Sequence, residues 1–235
     1  MPAPRVQQPE SQERFITSRG IRFPLEAGLI PWRLRKALRS NSYEHREAEA
    51  ALKLIGKDDV VMELGAGIGF MSTLIATQTP ASSVHAFEAN PRLIPYIRRV
   101  HAENEVSNAT VHHGVLGEAE GSAGFYVRPR ILDSSLAPMA DDSEEVELTE
   151  VPVLDARSCF DKVSPTILVC DIEGAEVDLL PLLDLSGLRG MVIELHPQFV
   201  GKEGIDRVFS HLHSCGLVFF PRFSDRKVAV FRSDW

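Results

Sequence analysis

The sequence predicts an α/β protein with a doubly wound, mostly parallel sheet of seven strands and an antiparallel strand near the carboxyl terminus. From Asp58 onward, short apolar strands alternate with helices, which implies a parallel sheet covered on both faces. The length of 235 residues suits one such domain with modest additions, and a hydrophobic content of 44% is enough for a sizeable core.

The predicted elements follow in a regular order. Apolar runs predict strands at 60–62, 84–87, 110–113, 166–170, 191–195, 217–220 and 228–231, the last two as an antiparallel pair. Between them, helices are predicted over 70–78, after Pro91 and over 175–180, because glycines or prolines bound these stretches. A further helix is predicted where Ile205, Val208, Phe209 and Leu212 fall in phase.

Three regions surround or interrupt this pattern. Residues 1–14 are polar and proline-rich, which is typical of a disordered lead-in, and residues 15–56 are predicted to form a helical cap before the domain at 57–235. An excursion at about 115–157 breaks the alternation. It is either an edge hairpin with a solvated acidic turn or a lid over a substrate.

Composition excludes several classes of function. The net charge of −8 argues against a nucleic-acid binder, which needs a basic face. Three scattered cysteines make a zinc ribbon or a disulfide framework improbable, and no apolar run is long enough for a membrane helix. We therefore expect a soluble cytoplasmic protein, and a homo-oligomer is compatible with the sequence.

The stretch VVMELGAGIGF, Val60 to Phe70, indicates a ligand site at the carboxyl end of the first domain strand. Gly65, Gly67 and Gly69 let a ligand approach the backbone, and the following helix directs its amide groups at the same place. The spacing is one residue shorter than in dinucleotide loops, and a carboxylate, Glu63, precedes it. A carboxylate there repels a pyrophosphate and suits a ligand with positive charge.

A second acid, Glu88, ends the next strand, where nucleotide folds hold ribose hydroxyls. A ligand with a ribose and a cationic end but no phosphate is expected, and S-adenosylmethionine has this chemistry. Two rivals remain open at this point. One is an NAD-dependent oxidoreductase, and the other is a non-catalytic binding module of the same fold.

Three segments together resemble the FkbM-type methyltransferases, a class I family that uses S-adenosylmethionine. The segments are VVMELGAGIGF, VHAFEANPRLIPYIRRVHAENEVSN and LVCDIEGAEVDLL, of which ILVCDIEGAE is the most specific. The resemblance covers roughly residues 43–217. It implies a Rossmann-like fold and, for the acceptor, a hydroxyl oxygen on a small molecule such as a sugar or a secondary metabolite. The residues alone do not separate oxygen from nitrogen acceptors.

The resemblance also implies roles for single residues. Glu63, Gly65 and Gly67 would hold the methionine part, Glu88 the ribose, and Gly114 and Val115 would flank the adenine. We extend the predicted cofactor site to their neighbours Ala66, Gly69, Ala89 and Asn90 and to Asp171. In the family, the helix that begins at Tyr43 and Glu44 lies over the cofactor pocket.

Candidate catalytic residues follow the fourth and fifth strands. Methyl transfer to an alcohol needs an aligned nucleophile and a group that removes its proton. Neighbouring parallel strands end at one edge, so Asp171, Glu173, Glu194 and His196 are expected to converge, with Asp171 or Glu173 as the base and His196 next. The alternative for the acids is helix capping. A divalent metal held by these groups is allowed but not favoured, because no compact ligand spacing requires it.

Overall fold

The computed structural model describes residues 14–128, 134, 136 and 145–234. The strands are β1 (Phe15–Ser18), β2 (Ile21–Pro24), β3 (Val60–Leu64), β4 (Ser83–Glu88), β5 (Ala109–His113), β6 (Val115–Gly117), β7 (Gly121–Val127), β8 (Glu147–Asp155), β9 (Ile167–Cys170), β10 (Gly190–Glu194), β11 (Val218–Phe219) and β12 (Val228–Arg232). The helices are α1 (Trp32–Arg39), α2 (His45–Leu54), α3 (Phe70–Gln78), α4 (Leu93–Glu103), α5 (Ala156–Val163), α6 (Glu176–Leu179) and α7 (Pro197–Ser214).

The centre of the protein is a seven-stranded sheet in the order β11-β12-β10-β9-β3-β4-β5. β9, β3, β4, β5 and β10 pair in parallel, whereas β12 runs antiparallel to both β10 and β11. This confirms the predicted fold class, including the antiparallel strand near the carboxyl terminus. The strand order reverses between β3 and β9, and the loops that follow these two strands therefore border one crevice.

Helices cover both faces of this sheet, and β3 shows how the sequence divides the core. Val61 packs into the cluster formed with α2, α3 and α4, whereas Met62 packs into the opposite cluster with α6 and α7. Neighbouring strand residues point to opposite faces, so both faces of a doubly covered strand are apolar. Among the described residues, no helix has the length and apolar character needed to cross a membrane.

The amino-terminal segment is only partly as predicted. Helices α1 and α2 are present, but the segment begins with a hairpin of β1 and β2 rather than with helix. Arg19 and Gly20 at its turn both have positive φ angles, of 47° and 81°, which matches the twist of a two-residue hairpin. Residues 1–13 of the predicted lead-in lie outside the described part of the chain.

The excursion forms its own small sheet in the order β6-β8-β7, with β7 and β8 antiparallel. Antiparallel pairing of β7 and β8 is what a hairpin requires, but these strands belong to a separate sheet and not to an edge of the central sheet. Its acidic middle, residues 137–144, lies outside the described part of the chain, so the lid interpretation remains a prediction.

The amino-terminal ends of three strands are joined by an ion pair whose carboxylate is buried. Asp59, just before β3, contacts the guanidinium of Arg189 just before β10. The same carboxylate accepts hydrogen bonds from the hydroxyl of Thr166, at 2.7 Å, and from the amide of Gly56, at 2.7 Å. Three strands are therefore tied together at the edge opposite the glycine loop.

Candidate functional site

The glycine loop between β3 and α3 has the backbone shape that only glycine adopts without strain. Gly65, Gly67 and Gly69 have φ angles of 86°, 55° and 75°. At Gly65 there is a second constraint, because a Cβ atom there would lie 1.9 Å from the carbonyl oxygen of Asp171. The amides of Gly65 and Ala66 both donate to the carbonyl of Phe87, at 3.0 Å. The loop after β3 is thus packed directly against the loop after β9.

Glu63 lies at the carboxyl end of β3 and is almost fully buried, with 2% of its surface exposed. Its Oε2 atom accepts no hydrogen bond from the described residues. Burial raises the pKa of Glu63 to about 8, an effect that a hydrogen bond with Ser72 opposes and the charge of Glu88 reinforces. A buried carboxylate with a free oxygen favours a cationic or hydrogen-bond-donating ligand.

Glu88, at the end of β4, is also buried, and main-chain amides hold it in place. Its Oε2 accepts from Gly67 at 2.8 Å, and its Oε1 accepts from Asn90 at 2.7 Å. Burial raises its pKa to about 7. Each carboxylate oxygen has two acceptor positions, so capacity remains for a ligand hydroxyl.

The other predicted cofactor residues lie on the chain that follows β4 and β5. The side chain of Asn90 accepts a hydrogen bond from the amide of Arg92, at 3.0 Å, at the start of α4. Ala89 packs against the apolar cluster of the small sheet, formed by Phe125, Val127 and Val151. The amide of Gly114 donates to the carbonyl of Glu88 at 2.9 Å, and Val115 begins β6. These residues border the same end of the sheet as Glu63 and Glu88.

The predicted acids after β9 and β10 do converge, and they surround an imidazole. Nε2 of His196 lies 3.4 Å from Oδ1 of Asp171, 3.3 Å from Oε2 of Glu173 and 3.9 Å from Oε1 of Glu194. The His196 side chain is 3% exposed, whereas those of Asp171 and Glu173 are 33% and 43% exposed. The carboxylates thus form the accessible side of the group.

Proton affinities in this group follow from burial and from charge. Burial, together with the charges of Glu194 and Glu173, raises the pKa of Asp171 to about 7. Burial alone would lower the pKa of His196, but the contact with Glu176 and the charges of Glu173 and Asp171 outweigh it and raise that pKa. The surrounding carboxyls thus favour the protonated form of the imidazole, and a pKa of about 7 lets Asp171 exchange a proton near neutrality.

Glu47 is a residue of this site that no sequence motif marks. Glu44, Glu47, Glu63, Asp171 and Glu194 line one small cavity between α2 and the sheet. Burial raises the pKa of Glu44 well above its usual value and also raises the pKa of Glu47. Charged residues on a helix give no sequence pattern that says which cavity they face, so Glu47 could be placed only from the fold.

Asp171, Glu173 and His196 each offer an atom within 4.8 Å of the others, close enough to surround one cation. Exposed acidic groups often lie this close without a metal. The imidazole of His196 already contacts both carboxylates, and we assign no metal here.

Comparison with known proteins decides the family. A family profile described as "Methyltransferase FkbM domain" matches residues 63–219, more than half of the chain. The protein belongs to the FkbM methyltransferase family. The match begins at Glu63, includes all the predicted site residues, and ends in β11. It confirms the resemblance drawn from the three sequence segments and places the chain among the S-adenosylmethionine-dependent methyltransferases.

Solved structures show the same fold at low sequence identity. Trm5b from Pyrococcus abyssi is 14% identical with a TM-score of 0.53, over 94% of this chain and 55% of that one. TYW2 from M. jannaschii, in complex with AdoMet, is 14% identical with a TM-score of 0.50, over 97% and 89%. TYW2 from P. horikoshii, in complex with MeSAdo, is 13% identical with a TM-score of 0.50, over 94% and 70%.

The FkbM chain thus spans about half the length of the Trm5b structure that it matches. These likenesses support the Rossmann-like fold and nothing finer. The comparison with curated proteins gave no match.

Proposed function

We propose that this FkbM protein is an O-methyltransferase that moves the methyl group of S-adenosylmethionine to a hydroxyl on a small molecule, such as a sugar or a secondary metabolite. The observation that carries the proposal is the position of Asp171. Its backbone packs against the glycine loop at Gly65, and its Oδ1 accepts no hydrogen bond from the described residues. A proton-accepting group thus lies directly beside the proposed cofactor site.

The residues of the loop fit the cofactor. The unpaired Oε2 of Glu63 would accept from the ammonium of the methionine part, and Glu88 would accept from the ribose hydroxyls. Gly65, Ala66, Gly67 and Gly69 form the loop against which the cofactor would lie. Ala89, Asn90, Gly114 and Val115 would border its adenine end. When bound, S-adenosylmethionine supplies a methyl group that is already activated by the sulfonium.

The protein's own task is to orient the acceptor and to remove its proton. A base works best with a pKa near the operating pH, and burial with neighbouring acids brings the pKa of Asp171 to about 7. In this proposal the carboxylate of Asp171 accepts the hydroxyl proton. Nε2 of His196, 3.4 Å away, holds that carboxylate in place, while the charge of Glu173 helps to raise its pKa.

A screen of acceptors tests the proposal. Purified protein and S-adenosylmethionine would be incubated with panels of hydroxyl and amine compounds, and release of S-adenosylhomocysteine would be measured. We expect turnover with a hydroxyl compound, and we expect it to be lost in Asp171→Asn but kept in Asp161→Asn, an exposed control. Turnover with amines alone would overturn the oxygen assignment, and cofactor binding without any turnover would favour a binding module.

N-methylation is the second candidate, and the acid-lined cavity is the observation that favours it. Glu44, Glu47 and Glu194 extend the row of carboxyl groups beyond Glu63 and Asp171. A protonated amine bound there would favour the ionised form of these carboxyls. The amine panel of the same screen separates the two candidates.

A further inference from the structure

Glu176 is a buried acid beside the proposed site for which the mechanism above has no use. It is the first residue of α6, and only 1% of its surface is exposed. Its Oε2 accepts from the amide of Gly174 at 2.8 Å. Its Oε1 accepts no hydrogen bond from the described residues and lies 3.5 Å from Nδ1 of His196. A buried carboxylate needs compensation, and the imidazole is its ion-pair partner.

The turn before α6 fixes this arrangement. Glu173 and Gly174 have φ angles of 53° and 100°, so the chain reverses sharply after Asp171. A Cβ atom at Gly174 would lie 3.0 Å from the Cβ of Phe199, on the helix that follows His196. The turn is therefore packed against the start of α7, and both ends of the Glu176–His196 contact are held.

The two nitrogens of the ring face different groups. Nδ1 faces Glu176 from α6, while Nε2 faces Asp171 and Glu173 from the loop after β9 and Glu194 from β10. The ring of Phe199, 6.1 Å away between centroids, is the neighbour from α7 and does not titrate. A carboxylate on Nδ1 selects the ring orientation that presents Nε2 to the proposed base, as in other acid–histidine pairs.

We propose that Glu176 is a positioning residue that fixes the ring of His196, so that Nε2 points at the carboxylates of Asp171 and Glu173. Its catalytic meaning rests on the proposed function, whereas the contact itself can be tested without an acceptor. Removing the charge of Glu176 would let the ring of His196 rotate and would lower the pKa of its imidazole. Asp171 would then lose an oriented partner, although no residue that contacts the substrate has changed.

The test compares Glu176→Gln with Asp178→Asn in the whole protein. Gln keeps an oxygen for the Gly174 amide but removes the charge, and Asp178 is a matched control on the same helix with an 88% exposed side chain. Nuclear magnetic resonance would follow the titration of His196, assigned with His196→Gln. We expect the pKa of His196 to fall in Glu176→Gln and to stay unchanged in Asp178→Asn.

With an acceptor from the screen, we expect Glu176→Gln to lower kcat by roughly tenfold to a hundredfold while the KM for S-adenosylmethionine changes little. Glu176→Asp, which keeps the charge, should lower the pKa of His196 less than Glu176→Gln does. It also serves as the second variant if Gln impairs folding. An unchanged His196 titration in Glu176→Gln would overturn the inference, and so would a larger fall of this pKa in Glu176→Asp than in Glu176→Gln. A wild-type protein that bound no S-adenosylmethionine would instead overturn the proposed function and leave the titration result standing.

Discussion

Nε2 of His196 lies 3.4 Å from Oδ1 of Asp171, and this contact joins the ends of two neighbouring strands. Asp171 directly follows β9, and His196 follows β10 by two residues. The two strands pair in parallel, with Ile193 opposite Cys170. The strand register therefore sets the spacing of the proposed base and its imidazole partner.

The rate of methyl transfer should depend on pH through Asp171. A base must be ionised to accept a proton, and the pKa of this carboxyl is raised to about 7. We expect kcat/KM to be low in acid, to rise as pH passes about 7 and then to level off. Initial rates of S-adenosylhomocysteine release across this range measure it. A profile that stays flat through neutrality would contradict the assignment.

Ionisation of Glu63 should lower the unfolding free energy of the ligand-free protein as the pH rises. Its pKa is 4.5 ordinarily and about 8 in the fold, so the folded state holds a proton that the unfolded chain releases. The resulting stabilisation is complete below pH 4.5 and is lost as pH rises towards 8. Relative to Glu63→Gln, wild type should lose roughly 2–4 kcal/mol of unfolding free energy across this window.

Urea unfolding at the two ends of the window measures this difference. Glu118→Gln, at an exposed position, is the control and should follow wild type. The same Glu63→Gln protein should bind S-adenosylmethionine about tenfold or more weakly by calorimetry, because a hydrogen bond to a charged group is lost. If wild type and Glu63→Gln lost the same unfolding free energy across this window, the pKa of Glu63 would not be raised in the folded state.

Gly65 should tolerate substitution far less than Gly28. Both have positive φ angles, of 86° and 90°, but a Cβ atom at Gly28 meets nothing within 4 Å, whereas one at Gly65 overlaps the carbonyl oxygen of Asp171. Gly28→Ala should cost about 1 kcal/mol, from the backbone conformation alone. Gly65→Ala should cost clearly more and weaken cofactor binding. Thermal melting with calorimetry compares the two, and equal losses would contradict the packing argument.

Asp59→Asn should affect stability without affecting the site. It breaks the ion pair with Arg189 at the opposite ends of the strands, and because Arg189 is 31% exposed we expect a loss of about 1–3 kcal/mol. Burial opposes ionisation of Asp59, but Arg189 and the amide of Gly56 outweigh it and lower its pKa. Its contribution is thus present at neutral pH and lost in acid, as pH falls through the lowered pKa.

Chemical unfolding at neutral and acid pH tests this, with S-adenosylmethionine affinity as the control that should not change. If Asp59→Asn left the unfolding free energy at neutral pH unchanged, the ion pair would contribute nothing to stability.

The sequence predicted the sheet and the proposed site because both depend on local patterns. Apolar runs bounded by glycine and proline mark the strands, and residues that follow neighbouring parallel strands meet at one edge. The same rule groups Asp171, Glu173 and His196 from the sequence alone.

Features that depend on long-range packing could not be predicted. Glu176 could not be recognised as a partner of His196, because the contact requires the turn at Gly174 to pack against Phe199. Glu47 faces the cavity only because α2 lies over the end of the sheet. The first hairpin could not be predicted, since its turn at Arg19 and Gly20 lacks the usual asparagine or aspartate.

The rate of methyl transfer by Asp171→Asn, at saturating S-adenosylmethionine and with a hydroxyl acceptor from the screen, decides whether Asp171 is the base. Asparagine preserves the shape of the side chain but cannot accept the proton. We expect a rate at least about a hundredfold below wild type, with the dissociation constant for S-adenosylmethionine within about threefold. A variant that transfers methyl groups at the wild-type rate would contradict the account.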